Sequence, residues 1–322
     1  MLQILLVTLP FFALVLCGYA AAQWRVMPEQ AIPGLNVFVL LFALPCMLYR
    51  FASNTPILRL LDPSLLLTYL ACALAMMCLA IATTRRGPIG WNDASFGALV
   101  AAFPNSGFMG IPLLVALLGA EAAGPAIVSL AVDMVITSSL CIALSQLDAS
   151  GEHGARRAAM QGLRAMVRNP LAWSIVLGCL STASGLRLPA AAMRVVDMLA
   201  DAASPTALFT IGAVLSRSRP SSSPRASATP GHRSDVPLLV FYKLIVHPAL
   251  LFAAGKLAIA FGAPLDAASL TVLVLVAALP SASNVPMLAE RFGADTGRVA
   301  RVVLVSTVLA FATFAAIVAL VR

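Results

Sequence analysis

Two short stretches place helix-breaking residues beside uncharged polar ones inside long apolar runs. One is Phe103-Pro104-Asn105-Ser106-Gly107, the other Leu279-Pro280-Ser281-Ala282-Ser283-Asn284-Val285-Pro286. The first lies within the run 94–119, long enough to cross a membrane. Freed backbone groups in hydrocarbon cost several kcal/mol each, so broken backbone at membrane depth survives only inside protein or beside a polar cavity. Proline removes a donor and pushes against the preceding turn, so Pro104 and Pro280 are expected to unwind their helices near the midplane. Each helix that restarts after a break offers uncapped N–H groups and the positive end of its dipole. Asn105, Ser106, Ser283 and Asn284 can cap those ends or donate to a ligand, and a carboxylate fits there without a full positive charge beside it. Pro104, Gly107, Pro280 and Pro286 shape the breaks. The plainer alternative is that such prolines kink membrane helices for packing alone.

Three ionisable residues sit deep in apolar runs: Asp133, Lys243 and His247. Ionisable groups inside membranes are functional by default. Asp133 can bind a coupling cation, relay a proton, or pair with Lys243. Lys243 can offset the charge of an anion or pair with Asp133 or Asp62. His247 precedes Pro248 and can instead bond a freed carbonyl. A structural ion pair or a helix cap is the competing account for each.

The chain around these residues is 61% hydrophobic and 11% charged over 322 residues, with a mean hydropathy of +0.95. Soluble domains carry about 25% charge. This is the composition of an all-α polytopic membrane protein. The net charge of +8 comes mostly from arginines between apolar runs, which reads as topology rather than as a nucleic-acid surface. The six cysteines lie within apolar runs and have neither CxxC nor His-paired spacing, so packing is their expected role and no metal site is implied. No phosphate loop, nucleotide fingerprint or nucleophile–base–acid set is present. An enzyme, an ATP-driven pump and a bound cofactor are not expected.

Ten transmembrane spans are expected, at 1–22, 33–52, 63–84, 94–119, 123–146, 169–185, 190–215, 236–261, 268–292 and 296–321. The seventh has a polar first half, with Arg194, Asp197 and Asp201. Arginines gather on the side that holds segments 147–168 and 216–235, so that side is expected to be cytoplasmic and both termini periplasmic. Segment 216–235 is rich in Ser, Pro and Arg, a composition that builds no core. The expected organisation is a first five-helix repeat over 1–146, a cytoplasmic linker over 147–168, and a second repeat over 169–322.

Three landmarks support that repeat. Asp62 to Tyr69 precedes Asp235 to Tyr242 by 173 positions, Ala101–Pro104 precedes Ala277–Pro280 by 176, and Gly119-Ala120-Glu121 precedes Gly293-Ala294-Asp295 by 174. Five spans per repeat insert the halves upside down relative to each other. Paired interrupted spans in such inverted repeats are the sequence mark of a transport site.

At these residues the chain resembles the auxin efflux carrier family. The matching stretches are Phe103 to Pro112, Leu279 to Pro286 with Ala289 to Gly293, Asn169-Pro170, and Ser204-Pro205 to Gly212. That family includes bacterial malonate and malate carriers and, more distantly, plant PIN-type auxin exporters. The resemblance implies a fold like that of bile-acid sodium symporters, with spans 4 and 9 broken and crossed. It also implies a scaffold from spans 1, 2, 6 and 7, a transport domain from the other six, and elevator-like alternating access. The function expected is secondary transport of small organic anions, mono- or dicarboxylates, in a bacterial inner membrane. The partners are the anion, a coupling proton or sodium ion, and lipids; a homodimer is compatible, and nucleic acid is not. A sodium-coupled symporter of bile-acid-transporter type stands as one alternative, and a channel or membrane sensor as another.

Overall fold

The computed structural model describes residues 2–55, 62–85, 89–147, 160, 170–186, 188–217 and 235–321. Most of the two arginine-rich segments expected at 147–168 and 216–235 therefore lies outside the described residues. Those described fold as helices: α1 (Leu2–Gln23), α2 (Ala31–Asn54), α3 (Pro63–Thr84), α4 (Trp91–Ala102), α5 (Ser106–Leu118), α6 (Ala120–Ser145), α7 (Pro170–Ser184), α8 (Ala190–Arg217), α9 (Val236–Ala260), α10 (Ala267–Ala277), α11 (Val285–Arg291) and α12 (Thr296–Val321). Six of these, α2, α3, α6, α8, α9 and α12, are long and apolar enough to cross a membrane. Shorter apolar stretches are Leu9–Gln23 within α1, Ser106–Leu118, Pro170–Ser184 and Ala267–Ala277. The polar start of the expected seventh span is continuous helix, joined to the rest of α8 through Pro205.

Helix ends follow local chemistry. Asp62 caps α3 by accepting from the amides of Ser64 (2.9 Å) and Leu65 (3.4 Å), with Pro63 at the first helical position. Asp266 caps α10 through the Ser269 amide at 2.6 Å. Gly119 (φ 91°) and Gly293 (φ 70°) follow α5 and α11 at positive φ, which only glycine adopts without strain.

Four helices contain one wide, π-helical turn: Val39–Ala43, Ser106–Gly110, Asp133–Thr137 and Tyr242–Val246. Three have a common cause. Pro45, Pro112 and Pro248 each stand two residues past the turn. A proline ring clashes with the carbonyl four residues back, at Leu41, Phe108 or Leu244, and the turn widens to relieve it. In α6 hydroxyls do the same: Ser138 Oγ donates to the carbonyls of Asp133 (2.5 Å) and Met134 (2.9 Å).

The helices pack as two groups. In one, α1 lies along α8 and α2 along α7, with α8 also against α2. A Cβ on Gly18 would strike the Phe209 carbonyl, and one on Gly212 would strike that of Val15, so glycines on both helices let α1 and α8 touch backbone to backbone. Gly178 serves α7 against Ala52 and Tyr49 of α2. The other group holds α3 with α4, α4 with α6, and α9 with α3 and α10, while α12 packs on α9 and α11.

A candidate binding site at two helix breaks

The break between α4 and α5 meets the break between α10 and α11. Pro104 and Ser281 form an isolated antiparallel bridge, in which the Asn105 amide donates to Pro280 O and the Ala282 amide to Phe103 O, both at 2.9 Å. Each break thus supplies the backbone partners that the other lost. Ser281 locks the junction further: its Oγ donates to Val100 O at 2.7 Å, near the end of α4, and its amide donates to Ser306 Oγ at 3.2 Å.

The restarts leave donors unspent. The Gly107 and Phe108 amides at the start of α5, and those of Ser283 and Asn284 before α11, make no hydrogen bond among the described residues. Asn105 precedes α5 and Asn284 precedes α11, yet neither side chain caps its helix. Capping, one of the two roles open to these asparagines, is therefore not what the structure shows. Asn105 is 5% exposed, and Ser283 Oγ is buried without a partner among the described residues. Ser106 is buried, its hydroxyl 3.4 Å from Pro104 O. Pro104, Gly107 and Pro280 are buried at the junction, with Gly107 between Leu44 of α2 and Leu130 of α6. Pro286 opens α11 and is half-buried.

The three ionisable residues come together next to this junction but not as expected. Asp133 and Lys243 act on each other electrostatically, yet form no ion pair within 4.0 Å. Asp133 instead accepts from Tyr69 Oη (2.6 Å, Oδ2) and Thr137 Oγ1 (3.2 Å, Oδ1). Lys243 donates to Ala277 O at 2.7 Å and meets His247 Nδ1 at 3.2 Å. Asp62 is spent on its own helix cap. Direct pairing of Lys243 with Asp133 or Asp62 is thereby corrected: the ammonium donates to the carbonyl of Ala277, the last residue of α10, where a cation suits the negative dipole end. His247 bonds Lys243 rather than a freed carbonyl, and its Nε2 has no partner among the described residues.

Two features went unread in the sequence. Tyr69 figured only as a repeat landmark, although its partner at position 242 and its depth in α3 marked it. Arg298, counted only for topology, is 7% exposed and clasps Asp235 with Nε (2.8 Å) and Nη2 (2.5 Å), while Nη1 donates to Asp93 O at 2.6 Å. It ties the starts of α4, α9 and α12, and Gly97 leaves it room.

Helices of membrane-crossing length, together with two broken ones whose breaks exchange backbone bonds beside unspent donors, mark an integral membrane protein. The comparisons agree. The profile of the membrane transport protein family matches residues 4–318. The chain belongs to this family, that of the auxin efflux carriers, and is a membrane transporter rather than an enzyme. It is 29% identical to the "Putative malonate transporter" of Rhizobium meliloti, over 100% of this chain and 97% of that one. It is 26% identical to the "Uncharacterized transporter YfdV" of Escherichia coli K12, over 89% of this chain and 88% of that one. Auxin efflux carrier component 3 of Arabidopsis thaliana is 29% identical over 36% of this chain and 18% of its own length.

Proposed function

We propose that this chain is a secondary carrier of small carboxylates, with malonate as the first ligand to try, and that the anion binds where the two breaks meet. The observation that carries this reading is the set of unspent donors: the Gly107, Phe108, Ser283 and Asn284 amides with the uncapping side chains of Asn105 and Asn284. Donors from two converging breaks hold a carboxylate much as a helix start holds a phosphate. Ten spans in two inverted five-helix repeats, over 1–146 and 169–322, account for the paired breaks. In that layout α1, α2, α7 and α8 form the scaffold and the remaining helices the moving body, with elevator-like exchange between the two faces of a bacterial inner membrane.

A sodium-coupled symporter is the second reading, favoured by the carbonyls of Ala101, Ala102, Ala278 and Leu279. These accept no hydrogen bond among the described residues and supply the oxygen that a cation needs. Uptake of labelled malonate into proteoliposomes separates the two. Saturable uptake without sodium supports the proposal, strict sodium dependence supports the second reading, and non-saturating flux would point to a channel.

A further inference from the structure

The anion site leaves unused the buried cluster around Asp133, and that cluster has the parts of a reversible proton site. We propose that Asp133 takes up one proton together with the anion, with Tyr69 and Thr137 positioning its carboxylate and Lys243 linking its charge to the break in α10. This rests on the anion-carrier reading and names its coupling ion.

Asp133 is fully buried, and both hydroxyls that hold it are neutral. Its charge can therefore be lost without stranding a contacting cation. Thr137 Oγ1 also stands 3.5 Å from Val132 O, five residues back, a carbonyl brought within reach by the wide turn Asp133–Thr137. On protonation an O–H bond forms at Oδ1 with a proton from water. The Thr137 hydroxyl then turns, donates to Val132 O and accepts from the new O–H, while Tyr69 keeps donating to Oδ2. Both states satisfy every polar group of the set, which is what a reversible buried site requires.

The groups facing the carboxylate are few. Tyr69 from α3 bonds it, Lys243 from α9 and Cys141 from its own helix act on it electrostatically, and Cys72 and His247 stand behind Tyr69. No titratable side chain of α2, α4, α5 or α10 bonds to it among the described residues. Tyr69 lies against the His247 ring (6.4 Å between centroids), and His247 leads through Lys243 to Ala277 O, one residue before the break. With Asp133 ionised, its charge cancels that of Lys243. With Asp133 neutral, the Lys243 charge stands alone at the end of α10 and favours an anion beside it. Anion and proton then raise each other's affinity by the same factor. A metal cation needs several oxygen ligands, and here it would meet one carboxylate, two hydroxyls already turned toward it, and the opposing charge of Lys243.

The test is malonate binding to the purified full-length protein across the neutral-to-alkaline range. The wild type is expected to weaken by about tenfold per pH unit on the alkaline side, the slope of one linked proton. Asp133→Asn is expected to flatten that slope; the titration of malonate itself is common to both and cancels. Tyr69→Phe is expected to keep the slope and move its midpoint, and it decides the matter should Asp133→Asn fail to fold. An undiminished slope in Asp133→Asn, an unmoved midpoint in Tyr69→Phe, or pH-independent binding by the wild type would overturn the proton site and leave the anion site standing. No binding of malonate, malate or acetate at any pH would overturn the anion reading and this inference with it.

Discussion

At the scale of the residue, two buried cations each secure the end of a helix. Arg298 spends three of its donors on Asp235 and the Asp93 carbonyl. Arg298→Met leaves the Asp235 carboxylate without its partner. A loss of about 2–3 kcal/mol is expected, below the figure for a fully buried pair because Asp235 keeps some solvent. A fall in the detergent unfolding temperature measures it, with exposed Arg301→Ala as the unchanged control. Lys243→Met strips the Ala277 carbonyl of its donor and the α10 end of its charge. Malonate affinity is expected to drop about tenfold, the size of one lost charge-assisted bond. Calorimetric titration reads it, and unchanged affinity would detach Lys243 from the site.

At the scale of the element, the fold depends on where helices stop and how closely they approach. Gly18 and Gly212 hold α1 and α8 in backbone contact. Gly212→Val is expected to part them and sharply lower the yield of monodisperse protein, whereas Gly34→Ala, which meets open space, is not. Size-exclusion profiles compare the two. Helix ends were largely legible in the sequence because the agents are local: Pro104, Pro280, Asp62 and Gly119 act within a turn of themselves. The restarts at Ser106 and Val285 follow the same logic. What was not legible has a non-local cause. Arg298 meets carboxyl and carbonyl groups 63 and 205 positions away, and a partner of Lys243 is a backbone carbonyl, which leaves no mark on a sequence. The prolines that widen α2, α5 and α9 were visible, but a kink and a π turn read alike until the backbone is seen.

At the scale of the whole molecule, two groups of helices meet where the breaks lie. Gly107 faces Leu44 of one group and Leu130 of the other. Asp235 closes segment 216–235 and is clasped by Arg298, which also holds the Asp93 carbonyl, so the clasp lies where that segment joins α9. A single cysteine at Ser222, in a background free of the six native ones, is expected to react with an impermeant maleimide only in inverted vesicles. Reaction in intact cells would reverse the orientation. The two breaks meet in space, and the Asn105–Pro280 and Phe103–Ala282 bonds give that pairing its physical content.

The most direct test of the central claim is thermal stabilisation of the purified protein by malonate, compared among the wild type, Asn105→Ala and Asn284→Ala. A ligand that binds only the folded state raises the unfolding temperature in step with its affinity. Anion binding at the two breaks predicts a saturable rise in the wild type and its loss in both variants, with their unliganded unfolding temperatures unchanged. A rise of equal size and midpoint in all three proteins would contradict it.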